Sequence, residues 1–173
     1  MNYHLLCGIN KYLHQTSKNT ICLDTYNNGF KNTYLYRMPT INIKYDAINE
    51  KMLPKKYKYI VKDIKSSEEL NKIMNYGIHI VGITFENYDD SIDNLPQSLK
   101  SLVIHGNNFN KSLDKLQQSL KSLVIWGDKF NQSLDQLPQS LKSLEICGTI
   151  FNQSLDKLPQ SLKSLNINFK KII

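Results

Sequence analysis

The sequence predicts a β-rich solenoid of short parallel strands in coils of 21 residues, preceded by a mixed α+β N-terminal cap. The block Leu-Lys-Ser-Leu recurs every 21 residues without slippage, starting at Leu99, Leu120, Leu141 and Leu162. Each block continues into Leu-x-Ile, a period-two spacing that is typical of a strand. The composition also changes along the chain, since all ten tyrosines lie at or before Tyr88. Strict repetition at this period indicates a stacked repeat architecture.

The composition excludes several classes of protein. The chain has 173 residues and a formal net charge of +7, and no apolar run approaches the ~20 residues that a transmembrane helix needs. The first residues do not combine a basic segment with the roughly 7–15-residue apolar stretch of a secretory signal. The three cysteines, Cys7, Cys22 and Cys147, form no CxxC pair, so they predict neither a disulfide scaffold nor a zinc site. We therefore expect a cytoplasmic protein with reduced thiols and no cofactor.

The first 77 residues predict the mixed cap. Apolar residues at helical spacing indicate an amphipathic helix over residues 3–19. β-Branched and aromatic residues predict strands at Thr40–Tyr45 and Tyr57–Ile64. Ser66, with a glutamate three residues later, predicts the N-cap of a short helix that ends near Asn75. A strand, a helix and a further strand in this order are what a large cap of a solenoid requires.

Residues 78–173 predict the solenoid itself, with about four copies of the repeat and a terminal strand. One period before Leu102 lies Val81, and Ile83 then occupies the position of Ile104. We therefore expect a degenerate first copy that begins near Ile78 and keeps the 21-residue register.

Each copy supplies part of a common core. The copy around Phe130 offers six apolar side chains to the inside: Leu120, Leu123, Ile125, Phe130, Leu134 and Leu137. Burial of six such groups does not offset the entropy cost of ordering 21 residues, so stability must come from the stacking of neighbouring coils. A glycine two residues after the inward isoleucine, at Gly106, Gly127 and Gly148, marks the point where the chain leaves the strand.

Two further positions recur once per coil, and we interpret them as structural ladders. Phenylalanine occupies the first, at Phe109, Phe130 and Phe151, and asparagine occupies the second, at Asn110, Asn131 and Asn152. Asparagine has a poor strand propensity, but its amide can both donate and accept hydrogen bonds. We expect these amides to be buried and to pair with the backbone at the turn of each coil.

The motif Phe-Asn-Gln-Ser-Leu-Asp-x-Leu-Pro-Gln-Ser-Leu-Lys-Ser-Leu-x-Ile resembles the FNIP repeat, a leucine-rich-repeat variant abundant in large amoeba-infecting viruses and in social amoebae. The resemblance covers about residues 78–169. Gln117 replaces the usual proline, and Tyr88-Asp89 replaces Phe-Asn in the first copy. The resemblance implies a leucine-rich-repeat-like solenoid that acts as a protein-interaction scaffold without catalytic activity, in the cytoplasm of the host cell if the protein is viral.

A second resemblance concerns the N-terminus. Within residues 3–30, the run Leu-x-x-Ile-Asn-Lys-Tyr-Leu-His resembles the last helix of an F-box. The leading Leu-Pro segment and the earlier helices of an F-box have no counterpart, so we interpret the run as a remnant or a simple cap. The alternative function implied by this resemblance is that of a substrate adaptor, in which residues 3–30 bind a Skp1-like protein of a Skp1–cullin ubiquitin ligase.

The candidate binding residues lie on the side of the sheet opposite the core, which the resemblance makes concave. Residues that alternate with the inward Leu and Ile point there. One predicted row contains Thr84, His105, Trp126, Cys147 and Asn168, and the next contains Gly82, Val103, Val124, Glu145 and Asn166. The copies differ at these positions, as a recognition surface requires, although positions that contact nothing would also vary. We select as candidate partner-binding residues Val103, His105, Val124, Trp126, Glu145 and Cys147, with the only tryptophan as the expected anchor.

His105 and Cys147 do not predict a catalytic pair. They lie two strands apart, a separation of ~9–10 Å, and Trp126 lies between them. A nucleophile and its base must be within hydrogen-bond reach, and the ligands of a zinc ion must converge on one point. We therefore predict that the protein is not an enzyme and has no metal site.

A stripe of lysines raises a third class of function, nucleic-acid binding. It contains one lysine per coil, at Lys100, Lys121, Lys142 and Lys163. Such a stripe can follow phosphates, but residues 81–173 carry 10 basic and 9 acidic side chains and are nearly neutral. Solvated surface charge explains the stripe better, and nucleic-acid binding is disfavoured.

The expected oligomeric state depends on the last strand of the solenoid. Its edge is predicted to be open, because no polar cap follows Leu165–Phe169 in the sequence. Lys170 and Lys171 would keep this edge solvated in a monomer. Alternatively, the edge pairs with a second copy of the chain and forms a homodimer.

Overall fold

The computed structural model describes residues 40–48, 53–55 and 57–169. The elements in chain order are β1 (Thr40–Lys44), a short 3₁₀ helix (Tyr45–Ala47), β2 (Lys58–Ile64), α1 (Ser67–Met74), β3 (His79–Glu86), β4 (Ser101–His105), β5 (Ser122–Trp126), β6 (Ser143–Gly148) and β7 (Ser164–Phe169). The helix predicted at residues 3–19 and the F-box-like segment at residues 3–30 lie outside the described residues. The described residues, from Thr40 onward, belong to one compact unit.

All seven strands belong to a single parallel sheet in the order β1 to β7. From β4 onward, successive strands pair at a spacing of 21 residues, so that Leu102 pairs with Leu123, Leu123 with Leu144 and Leu144 with Leu165. The prediction of a solenoid with stacked, equivalent coils is confirmed. Strands β1 and β2 extend the same sheet beyond the repeats, on the N-terminal side of residue 78.

The core runs along the inside of the coils. Leu120, Leu123, Ile125, Phe130, Leu134 and Leu137 are all buried, with exposed fractions of 3% or less. The phenylalanine ladder is a stack of nearly parallel rings, with 6.0 Å between the centroids of Phe109 and Phe130 and 5.9 Å between those of Phe130 and Phe151. Each ring therefore covers the next coil as well as its own, which makes burial cooperative along the solenoid.

The register of the first coil differs from the prediction. Ile83 pairs with Leu102, at a spacing of 19 residues, and Phe85 pairs with Ile104. Val81 was expected opposite Leu102, so the predicted register of the first copy was wrong by two residues.

A shorter turn after β3 causes this difference. Only two residues separate Phe85 from Tyr88, whereas four separate the equivalent Ile104 and Phe109. Asn87 makes the turn with a positive φ of 52°, a conformation that asparagine tolerates better than most residues. The ring of Tyr88 then lies 3.9 Å from that of Phe85, centroid to centroid, and is fully buried. The packing of these two rings fixes the tight turn.

Backbone contacts between coils explain the recurring glycines. A Cβ atom on Gly127 would lie 2.9 Å from the carbonyl oxygen of Gly106, and one on Gly148 would lie 2.6 Å from that of Gly127. The amide of Gly127 also donates to the carbonyl oxygen of Cys147 at 2.9 Å. Glycine is therefore required here by the close approach of neighbouring coils, in addition to the turn that the sequence predicts.

Helix α1 begins as predicted. The Ser66 hydroxyl accepts the backbone N–H of Glu69 at 3.2 Å, and the helix buries Leu70 and Ile73. The backbone N–H and the hydroxyl of Ser67 both donate to Asp90 Oδ2, at 2.8 and 3.0 Å. These two hydrogen bonds hold the pKa of Asp90 below its usual value, and they join the helix to the first coil.

The asparagine ladder lies at the surface. Asn110 Oδ1 accepts the backbone N–H of Asn131 at 3.0 Å, and Asn131 Oδ1 accepts that of Asn152 at 3.0 Å. Asn110 and Asn152 are exposed and Asn131 is only half-buried, so the expected burial of these amides was wrong. Each asparagine follows a phenylalanine that points into the core, and this places its own side chain outside.

Serines that the sequence analysis did not single out link the coils at a less exposed position. Each of these serines directly precedes the first leucine of a Leu-Lys-Ser-Leu block, and its hydroxyl donates to a backbone carbonyl of the preceding coil. They are Ser98, Ser119, Ser140 and Ser161. For Ser119 and Ser161 the hydroxyl lies near two such carbonyl oxygens. The signal for this role was the strict recurrence of serine at one position of the coil.

The last coil leaves part of the core uncovered. Leu165 has an exposed fraction of 44%, whereas Leu102, Leu123 and Leu144 are fully buried. Within the described residues no coil follows β7, so the inward leucine of this strand has a neighbour on one side only.

Candidate partner-binding face

The outer face of the sheet is formed by the side chains that alternate with the core residues of β1–β7. Its first row contains Glu86, His105, Trp126, Cys147 and Asn168, and its second row contains Thr84, Val103, Val124, Glu145 and Asn166. All six candidate binding residues thus lie in two adjacent rows, on β4, β5 and β6. We call this surface the outer face.

The 19-residue spacing of the first coil changes the members of each row. Thr84 was expected beside His105 and Gly82 beside Val103, but Glu86 and Thr84 take these places. Gly82 instead pairs with Ser101, two residues before Val103. The side chain of Ile60 packs over Gly82, since a Cβ atom on Gly82 would lie 2.9 Å from Ile60 Cγ1. Sequence reasoning missed Glu86, although Ile83-Thr84-Phe85 fits the Leu-x-Ile pattern as well as Val81-Gly82-Ile83 does.

The first row is held together by direct contacts. His105 Nδ1 lies 2.9 Å from Glu86 Oε1, and both side chains are about one-third exposed. On its other side, the imidazole stacks on the indole of Trp126 with 4.7 Å between ring centroids and 10° between ring planes. Glu86 therefore orients His105, and His105 covers one face of the tryptophan.

Trp126 is the centre of the outer face. It is 45% exposed, and its Nε1–H donates to Glu145 Oε1 at 2.9 Å. A ring stack on one side and a hydrogen bond at its edge restrict both side-chain torsions. Trp126 is therefore exposed to solvent but held in a single orientation.

Cys147 lies next to Trp126 on β6 and is half-buried, with a free thiol. His105 pairs with Trp126 and Trp126 with Cys147, so two strand spacings separate the imidazole from the thiol. No group of three or more His, Cys, Asp or Glu side chains in the described part of the chain could hold a metal ion. None of the helices in this part is long and apolar enough to span a membrane.

The outer face carries charges of both signs. Lys58 and Lys62 lie on β2, next to the edge strand β1. Lys44 on β1 pairs with Asp63 at 2.9 Å, and this hydrogen-bonded carboxylate raises the pKa of Lys44. Of the acidic residues of the two rows, Glu86 lies on β3, next to β2, and Glu145 lies on β6.

Strands β5 and β6, with the return between them, can be compared with known repeats. Residues 115–148 match the family model of the FNIP repeat. The resemblance found in the sequence is therefore confirmed over these residues, which include four members of the two rows: Val124, Trp126, Glu145 and Cys147. No curated protein matches the chain. A solenoid of FNIP repeats is a repeat scaffold, and its fold is typical of non-catalytic repeat proteins.

Proposed function

We propose that this protein is a non-enzymatic protein–protein interaction scaffold and that its partner binds the outer face around Trp126. The observation that carries the proposal is that Trp126 is 45% exposed yet is oriented by His105 and Glu145. Tryptophan is the residue type most enriched among the energetic centres of protein interfaces. A side chain that is already ordered loses little entropy when a partner binds.

The contrast between the two sides of the sheet supports this proposal. Facing the core, every strand from β4 to β7 carries the same Leu-x-Ile pair. On the outer face, the residues at the Trp126 position of β4, β5 and β6 are histidine, tryptophan and cysteine. Core packing explains the uniform side but not the differences on the other. A binding surface requires such differences, because a partner must distinguish one coil from the next.

The other expectations concerning partners rest on the sequence. The Skp1-like partner depends on residues 3–30, and the cytoplasmic location and the homodimer depend on sequence patterns. They stay predictions.

The test compares the intact protein with Trp126→Ala. Proteins captured from native cells by immobilised wild-type chain are identified, and the affinity of each purified candidate is then measured by calorimetry. We expect the affinity of a true partner to fall at least about 30-fold in Trp126→Ala, equivalent to the ~2 kcal/mol of a hot-spot residue. The matched control is Gln118→Ala, an exposed position away from the sheet, which should leave the affinity unchanged.

Circular dichroism and thermal unfolding must show that Trp126→Ala is folded. A folded Trp126→Ala chain that retains every partner at wild-type affinity would contradict the proposal.

A further inference from the structure

The indole of Trp126 has one covered face and one open face. His105 covers the first from β4, and the 4.7 Å centroid distance equals one strand spacing, so the two rings stack in the direction from strand to strand. The second face therefore points towards β6. There the paired residue is Cys147, whose side chain is short. A slot thus lies above Cys147, with the indole plane as one wall.

The carboxylate of Glu145 lies beside this slot. Glu145 on β6 accepts the indole N–H of Trp126 through Oε1 at 2.9 Å, which brings its charge to the edge of the ring. Among the described residues, no lysine, arginine or histidine forms an ion pair with Glu145. The neighbouring His105 directs its Nδ1 away from the slot, to Glu86. The negative charge beside the open indole face is therefore not neutralised by a described side chain.

We propose that Trp126, Glu145 and Cys147 form a slot for one arginine side chain of a protein partner. The guanidinium plane stacks on the open indole face above Cys147 and donates hydrogen bonds to the carboxylate of Glu145. This inference rests on the proposed function, and it specifies the chemistry that the outer face recognises.

Arginine fits the slot better than other residues for three reasons. A cation over the face of tryptophan is attracted by the ring quadrupole. Guanidinium is planar and weakly hydrated, so it stacks and pairs with a carboxylate at the same time, which the compact ammonium of lysine does less well. An apolar or anionic group would instead desolvate or repel Glu145 without compensation. The lysines Lys58 and Lys62 lie on β2, four strands or ~19 Å from β6, and do not block the approach of a cation.

The single tryptophan of the chain allows a direct test. The indole N–H of Trp126 gives one resonance in a nitrogen–proton correlation spectrum, and its shift is followed during titration with the capped peptide Gly-Ser-Arg-Ser-Gly. The reference peptide carries citrulline, which has the shape of arginine without its charge. We expect saturable shifts and an affinity for the arginine peptide at least about fivefold higher than for the citrulline peptide. Equal affinities, or no saturable shift with either peptide at tens of millimolar, would overturn the proposal.

Two variants separate the slot from general attraction between charges. Glu145→Gln keeps an acceptor for the indole N–H but removes the charge, and it should abolish the preference for arginine over citrulline. Asp114→Asn removes one charge at an exposed position outside the two rows of the outer face, and should leave the preference intact. An equal loss in both variants would show nonspecific attraction and contradict the slot.

The same variants distinguish this inference from the function on which it rests. If Trp126→Ala loses the captured partner while Glu145→Gln binds it with wild-type affinity, the arginine slot is wrong and the interaction scaffold stands. If Trp126→Ala loses nothing, the proposed function itself is wrong.

Discussion

The hydroxyl of Ser140 donates a 2.5 Å hydrogen bond to the backbone carbonyl of Leu120, twenty residues earlier in the chain. Equivalent serines make the same link at the other coils. Each of these bonds joins one coil to the preceding one, at the point in each coil just before the strand begins. The stacking of coils is therefore stabilised by directional contacts as well as by apolar burial.

Replacement of Ser140 by alanine should destabilise the protein by ~1 kcal/mol, because the hydroxyl that serves the Leu120 carbonyl is lost. Urea unfolding measures the free energy. Ser133→Ala is the matched control, since the exposed Ser133 hydroxyl accepts only a local hydrogen bond from the backbone of Asp135. An equal loss of stability in the two variants would show that the inter-coil bond contributes no more than the local one.

Asn131→Ala should cost about 0.5–1.5 kcal/mol. The amide oxygen of Asn131 accepts two hydrogen bonds from the next coil, from the backbone of Asn152 and the side chain of Gln153, both at 3.0 Å. The position is only half-buried, so solvent replaces part of the loss. In Asn152→Ala the only described bond to the amide oxygen comes from Gln153, at 3.4 Å, and we expect a smaller effect by thermal unfolding. A larger loss of stability in Asn152→Ala than in Asn131→Ala would show that the ladder has no energetic role.

Gln136→Lys should stabilise the protein by about 0.3–0.5 kcal/mol. Lys115 contacts Asp93 at 2.8 Å and Lys157 contacts Asp135 at 3.0 Å, each from the following coil. The corresponding partner of Asp114 is Gln136, where the chain has no cation.

The gain from Gln136→Lys should fade in 1 M salt, because the pair is exposed and screened. Gln136→Glu, which places two like charges together, should destabilise by a similar amount. Thermal unfolding at low and high salt measures both effects. A gain that does not depend on salt would contradict the electrostatic explanation.

Stability should decline at alkaline pH. Burial raises the pKa of Tyr59 to about 12, whereas an unfolded tyrosine ionises near pH ~10. As the pH rises, the unfolded chain loses this proton first, so the contribution of Tyr59 is fully present below pH ~10 and is lost up to pH ~12.

Tyr59→Phe separates this effect from the rest of the molecule. It loses the 2.9 Å hydrogen bond from the hydroxyl to the Pro54 carbonyl and should be ~1 kcal/mol less stable at neutral pH. Its stability should then fall less steeply than that of the wild type between pH 10 and 12, measured by urea unfolding. Parallel pH profiles would show that Tyr59 does not contribute to the alkaline decline.

Much of the repeat region could be predicted because its signals are local. The 21-residue period aligns Leu102 with Leu123, and the Leu-x-Ile spacing sends the intervening residue to the outer face. The same reasoning identified the capping role of Ser66 from two side chains three residues apart. The surface position of the asparagine ladder was missed, although each asparagine directly follows a phenylalanine that points into the core.

The candidate site was only partly predictable. The exposure of Trp126 follows from the alternation of side chains along β5, in which Leu123 and Ile125 point into the core. Its stack on His105 and its hydrogen bond to Glu145 depend on side-chain torsions, and these are selected by neighbours on adjacent strands. Glu86 was missed because the first coil is shortened by two residues.

The sequence determined the order of the strands and the side of the sheet that each residue of a repeat strand occupies. The 21-residue period places the strands one after another, and the Leu-x-Ile alternation allows only one choice of inward and outward side chains in each. Tertiary structure alone decided which residues of the first coil join the outer face and how the row from Glu86 to Trp126 is connected. A two-residue slip preserves the alternation of inward and outward side chains. The hydrophobic pattern therefore cannot reveal such a slip, and here the stacking of Tyr88 on Phe85 selects the register.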